Sequence, residues 1–82
     1  MIEPIHKEIG GRIRAARTQV RLSQSDVAEI IGRTGAFVSQ IENGQVRLSL
    51  PMVCEIAAVL NQSPDALLGL LRRRQRRQRR AQ

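Results

Sequence analysis

An all-α fold, a compact five-helix domain with an arginine-rich C-terminal extension, is what the sequence predicts, and three observations predict it. Apolar residues recur at helical spacing along the chain, and no stretch alternates as a half-buried strand would. Serine and threonine stand where helices would begin, and glycine falls where they would break. At 82 residues the chain has room for one domain and none for a second, and its 41% hydrophobic content is ample for a small aliphatic core.

Each element has its own warrant. Met1–Pro4 reads as a lead-in. Ile5, Ile9, Ile13, Ala16 and Val20 then recur at helical spacing, which predicts a first helix over Ile5–Val20, despite the lower helix propensity of Gly10 and Gly11. Ser23-Gln24-Ser25-Asp26 is a capping box, a hydroxyl followed three residues on by an acid, and it opens a second helix over Gln24–Ile31 with Val27, Ala28 and Ile31 inward. Gly32 supplies a residue that tolerates positive φ for a tight break. Thr34 caps a third helix, which turns Val38 and Ile41 inward and stops at Asn43-Gly44. Ser49 caps a fourth, with Pro51 in its first turn and Val53, Ile56, Ala57 and Leu60 as its apolar stripe. Ser63-Pro64-Asp65 opens a fifth, where Leu67, Leu68, Leu70 and Leu71 follow.

Charge divides the chain in two. The 14 Lys and Arg against 7 Asp and Glu leave a formal charge of +7. Seven of those cations are Arg72, Arg73, Arg74, Arg76, Arg77, Arg79 and Arg80, so residues 1–71 are formally neutral. The expected organisation is one helical domain over 1–71, with a closely joined two-helix segment at 24–43, and an arginine-rich tail over 72–82.

Composition excludes several functions. One cysteine forms no internal disulfide, and with one histidine it builds no zinc site of the usual kind. Phe37 as the lone aromatic argues against single-strand binders that stack bases on several rings. No apolar run approaches the ~20 residues of a membrane span and no signal-peptide pattern begins the chain, so a cytoplasmic protein with no membrane partner is expected. Cys54 reads as a packing thiol and His6 as a surface residue. No catalytic dyad, phosphate-cradling glycine loop or metal cluster is legible, so the expectation is a non-enzyme without cofactor or small-molecule ligand.

The second and third helices carry the functional signal. Counting from Gln24, Ala28 is a small residue where the two helices approach, Gly32 takes the turn, and the β-branched Val38 and Ile41 seat the third helix on the core with its other face outward. That is the spacing of a helix-turn-helix, whose second helix enters the DNA major groove.

The motifs extend beyond those two helices. Ile9-Gly10-x-x-Ile13-Arg14-x-x-Arg17, Leu22-Ser23-Gln24-x-x-Val27-Ala28, Ser39-Gln40-Ile41-Glu42-Asn43-Gly44, Ser49-Leu50, Ile56-Ala57-x-x-Leu60 and Ser63-Pro64-x-x-Leu67-Leu68 follow in register. Over roughly residues 5–70 the chain resembles the phage repressor/Cro-type (XRE) helix-turn-helix family. The resemblance implies that Gly35, Ala36, Ser39 and Gln40 form the face that meets base edges. Phe37 would touch a thymine methyl or pack. Gln24, Arg33, Gly35, Asn43 and Arg47 are the phosphate candidates, and Arg17 with Glu42 would form an internal ion pair tying the first helix to the third. Family members commonly carry long polar side chains where this chain has Gly35 and Ala36, which leaves Gln40 as the leading candidate for base readout, since glutamine pairs bidentately with adenine.

Leu67, Leu70 and Leu71 are the candidates for an isologous dimer contact, with Leu67 and Leu68 also expected to close the core. Arg72, Arg73, Arg74, Arg76 and Arg77 are expected to add sequence-independent contacts to nucleic acid. The resulting expectation is a sequence-specific duplex-DNA-binding transcriptional regulator, a homodimer on a palindromic operator, acting by repression or by touching RNA polymerase. Two alternatives stay open: an RNA-binding adaptor driven by the arginine tail, and an antitoxin-like module docking on a toxin.

Overall fold

The computed structural model describes residues 2–70. Among the described residues five helices follow one another: α1 (Pro4–Gln19), α2 (Gln24–Ile31), α3 (Gly35–Glu42), α4 (Leu50–Val59) and α5 (Pro64–Leu68). No strand occurs among the described residues. Leu71 and the arginine tail lie outside them.

Local chemistry sets the helix starts. At α2 the box closes in both directions, the Asp26 N–H donating to Ser23 Oγ at 2.9 Å and the Ser23 N–H to Asp26 Oδ2 at 2.8 Å. Thr34, Ser49 and Ser63 each accept one orphan N–H of the following helix, from Phe37, Met52 and Ala66 respectively. Pro4 opens α1 one residue before Ile5, where its missing N–H is no loss, and the helix ends at Gln19 rather than Val20. The chain leaves α2 through Gly32 at φ 72°.

The core is aliphatic and draws on all five helices. Ile9, Ile13 and Ala16 of α1, Val27 and Ala28 of α2, Val38 and Ile41 of α3, and Val53, Ile56 and Ala57 of α4 are buried, together with Leu60 and Leu67. Each fully buried Ile, Leu or Val contributes about 1.5–3 kcal/mol. The expected stripe of α1 frays at both ends: Ile5 and Val20 are exposed. Gly10 marks the place where α1 crosses the end of α3, because a Cβ there would overlap the Ile41 carbonyl oxygen. The propensity cost of Gly10 is the condition for that close approach.

Three expectations need correction. Leu70 does not continue α5, since Gly69 at φ 83° ends that helix after Leu68. Leu67 is 2% exposed within the core of its own chain, so it offers no surface to a second one. Cys54 is exposed, because the stripe of Val53, Ile56, Ala57 and Leu60 turns it outward on α4.

Candidate nucleic-acid interface

The surface of interest is built by locking one side of α3. Val38 and Ile41 are each 1% exposed, and Glu42 at the helix end is buried as well. The opposite side is left to solvent, with Ala36, Gln40 and Asn43 exposed and Gly35 and Ser39 half-buried. Gly35 starts the helix beside Ser25, where a Cβ would sit in ordinary contact 3.4 Å from Ser25 Oγ. Asn43 folds back on the last turn, donating from Nδ2 to the Ser39 carbonyl at 2.9 Å.

Phe37 does not belong to this face. Its ring packs against the core from the α4 side and carries the Arg33 guanidinium 4.7 Å from its centroid. The two line a shallow cavity of about 220 Å³ with Met52 and Glu55. A thymine-methyl role for Phe37 is thereby withdrawn, because its helical position turns it 100° away from Ala36 and towards α4.

Behind α3 lies the polar joint of the domain. Arg17 donates from Nε to Glu42 Oε2 at 2.6 Å and from Nη2 to Oε1 at 3.1 Å. Its Nη1 also donates to the Leu22 carbonyl at 2.8 Å. The hydrogen bonds to Glu42 and the attraction of its charge hold the Arg17 pKa above its ordinary value against the opposing effect of burial. Gln24 joins the same carboxylate, its Nε2 donating to Glu42 Oε1 at 3.0 Å. Sequence reading identified Gln24 and Glu42 separately and missed the link, for which the only signal was an amide and an acid at opposite ends of the motif.

A second missed feature ties the loop after α3 to α1. His6, expected at the surface, has a side chain only 13% exposed. Its Nδ1 accepts the Leu48 N–H at 3.0 Å and its Nε2 lies 3.0 Å from Glu3 Oε2. Glu3 also approaches Arg47, with Oε1 and Nη2 separated by 3.9 Å. The Glu3 pKa is lowered, first by its own backbone N–H and then by the Arg47 charge. Arg47 thus extends from a loop that is pinned next to the end of α3.

The described residues include no cluster of three or more His, Cys, Asp or Glu able to hold a metal ion, and no helix among them is long and apolar enough to cross a membrane. The arrangement offers one helix locked into the core on one side and carrying a short polar face on the other.

Comparison with known proteins agrees with this geometry. A family model for a helix-turn-helix domain matches residues 8–71. The restriction-modification controller protein C.AhdI from Aeromonas hydrophila is 33% identical, with a TM-score of 0.70 over 78% of this chain and 91% of that one. The P22 c2 repressor, solved in complex with a synthetic operator, is 27% identical, with a TM-score of 0.68 over 76% of this chain and 94% of that one. The FeII form of HppE is 30% identical with a TM-score of 0.72, but the 76% of this chain that aligns covers only 33% of that protein.

Proposed function

The chain belongs to the helix-turn-helix domain family, with a match over residues 8–71, and from that premise we propose that it is a DNA-binding transcription regulator that reads a palindromic operator as a homodimer. The single observation that carries the reading is the division of α3 into a side locked in the core at Val38 and Ile41 and a side open at Ala36, Ser39 and Gln40. A helix held in this way enters the major groove with its outer side chains at base edges. Gln40 is the principal base-reading residue, with Ala36 available to a thymine methyl and Ser39 to either base type.

Gln24, Gly35, Asn43 and Arg47 are assigned to the phosphate backbone, where they set position rather than sequence, and Arg33, with its guanidinium over the Phe37 ring on the α4 side, is assigned to a phosphate farther along the duplex. The domain proper is residues 1–71. The tail, through Arg72, Arg73, Arg74, Arg76 and Arg77, adds affinity without sequence information. Two such domains related by a twofold axis read half-sites about one helical turn apart. Leu70, 43% exposed beyond α5, remains a candidate for that twofold contact, and Leu71 joins it as the next residue. The likeness to HppE spans a third of that protein and lends this chain no chemistry.

Selection of bound duplexes from a random-sequence library tests the reading. A palindromic consensus with half-sites about 10 base pairs apart is expected. Recovery of duplexes with no shared sequence would overturn operator recognition.

A further inference from the structure

We infer that His6 is a positioning residue for DNA binding: its neutral ring clamps the peptide between Arg47 and Leu48 onto α1, and a proton on the ring releases it. The inference rests on the proposed DNA-binding reading, in which Arg47 meets a phosphate, and specifies what aims that arginine and when.

The geometry leaves the ring one neutral form. The Leu48 N–H donates to His6 Nδ1 at 3.0 Å, so that nitrogen carries no proton. The other nitrogen, Nε2, lies 3.0 Å from Glu3 Oε2, and an ionised carboxylate only accepts, so the single proton of the ring sits on Nε2. Nε2 keeps that proton whether the ring is neutral or charged. Nδ1 changes: on protonation it becomes a donor aimed at another donor, the Leu48 N–H, and the hydrogen bond gives way to repulsion. The charged groups that face the ring are Glu3, ahead of α1, and Arg47, whose Nη2 is 3.9 Å from the second oxygen of the same carboxylate.

The clamp acts on Arg47 because of where it grips. A peptide unit is planar, so the Leu48 N–H and the Arg47 carbonyl and Cα move as one. At its start the loop is fixed separately, since Gly44, at φ 76°, lies so close to Lys7 that a Cβ would come within 2.8 Å of its Cα. Val46 and Leu48 pack on the core, but apolar contacts carry no direction. The His6 bond is directional, and it orients the backbone from which Arg47 projects. Histidine ordinarily changes charge between about pH 5 and 8, and this chain has one.

The test follows binding of the full chain to a duplex selected from the random-sequence library. Lowering the pH from about 7 to about 5.5 is expected to weaken binding about two- to tenfold, the worth of one hydrogen bond. At the higher pH His6→Leu, which has no acceptor, is expected to lose a similar factor, and it should lack the pH response. His6→Asn, whose Oδ1 accepts the Leu48 N–H without titrating, is expected to bind more tightly than His6→Leu and to lack the response as well. A rise in native affinity on acidification would overturn the inference, because the added charge rather than the clamp would then govern binding. A response that survives in His6→Leu would overturn it too, as would one that survives in Arg47→Ala. NMR of the unbound chain reads the clamp apart from DNA: the Leu48 amide resonance should shift with the same midpoint as the His6 ring protons. A ring that titrates while that amide stays fixed, or one that takes up no proton down to about pH 5, would overturn the release. Failure of the native chain to bind any duplex at the higher pH would remove the DNA-binding reading and the role of Arg47 with it, while the Leu48 amide still decides whether the clamp opens.

Discussion

Arg17 and Glu42 meet through two hydrogen bonds, 2.6 Å and 3.1 Å long, between the last turn of α1 and the last residue of α3. The same arginine holds the Leu22 carbonyl ahead of α2, and the same carboxylate holds Gln24 at the start of α2. Three helices are thus referenced to one ion pair that is almost wholly removed from water. Placing α3 relative to α1 and α2 is also what places the outward face, so the joint connects packing to the proposed function.

Removing one partner of this pair should be costly. Arg17→Met leaves the Glu42 carboxylate buried with only Gln24 to answer it, and should lower unfolding free energy by about 3–5 kcal/mol in urea titrations. Replacing both residues by methionine should cost much less than the single change. Equal destabilisation by the single and paired replacements would show that the charge is not the cause.

The two neighbouring glycines of α1 should respond in opposite directions to the same substitution. Gly10→Ala drives a methyl into the Ile41 carbonyl and should cost about 1–3 kcal/mol or more, since backbone cannot give way as a side chain can. Gly11 has nothing within 4 Å of a Cβ, so Gly11→Ala should gain about 0.5–1 kcal/mol from helix propensity. Thermal melts of the two variants against the native chain check both signs.

Acid should weaken the start of α2. The Ser23 N–H, and then the Ser23 hydroxyl, hold the Asp26 pKa below its ordinary value. The unfolded chain therefore binds a proton at this site at higher pH than the folded one, near the ordinary aspartate value of about 4. The stabilisation is present above that pH and is lost as pH falls through the lower, folded value. Asp26→Asn should reduce stability at neutral pH, with the gap to the native chain closing as pH falls below about 4. A gap independent of pH would show that the Asp26 charge contributes nothing.

Gln40→Ala should separate specific from non-specific binding. The residue is exposed on the outward side of α3, so its loss should reduce affinity for a selected operator while leaving random duplex nearly unchanged. A discrimination of about 1–3 kcal/mol is expected from one bidentate contact. Equal losses on both duplexes, measured by titration at one salt concentration, would remove Gln40 from base readout.

Truncation after Leu71 should flatten the salt dependence of DNA affinity. The remaining chain is formally neutral, and all seven arginines of the tail are gone. If each neutralises one phosphate, the slope of log affinity against log salt should fall by about 6. An unchanged slope would mean that the tail does not touch DNA.

What the sequence determined by itself is what short-range chemistry controls. Ser23, Thr34, Ser49 and Ser63 begin their helices because a hydroxyl three residues from an orphan N–H caps it wherever the chain goes next. Gly32 turns at positive φ for an equally local reason, and the 3.6-residue stripes of α2, α3 and α4 already named their buried faces. The α4 stripe even pointed Cys54 outward, and only its residue type suggested otherwise. Tertiary structure decided the rest, because the partners are distant in sequence. Gly10 meets Ile41, His6 meets the Leu48 N–H, and Gln24 meets Glu42 only once the helices cross. Leu67 could serve a core or a second chain by composition alone, and the packing of α5 between α1 and α4 assigned it to the core. A periodicity identifies which face is apolar, but the partner across that face is chosen by the geometry of the whole chain.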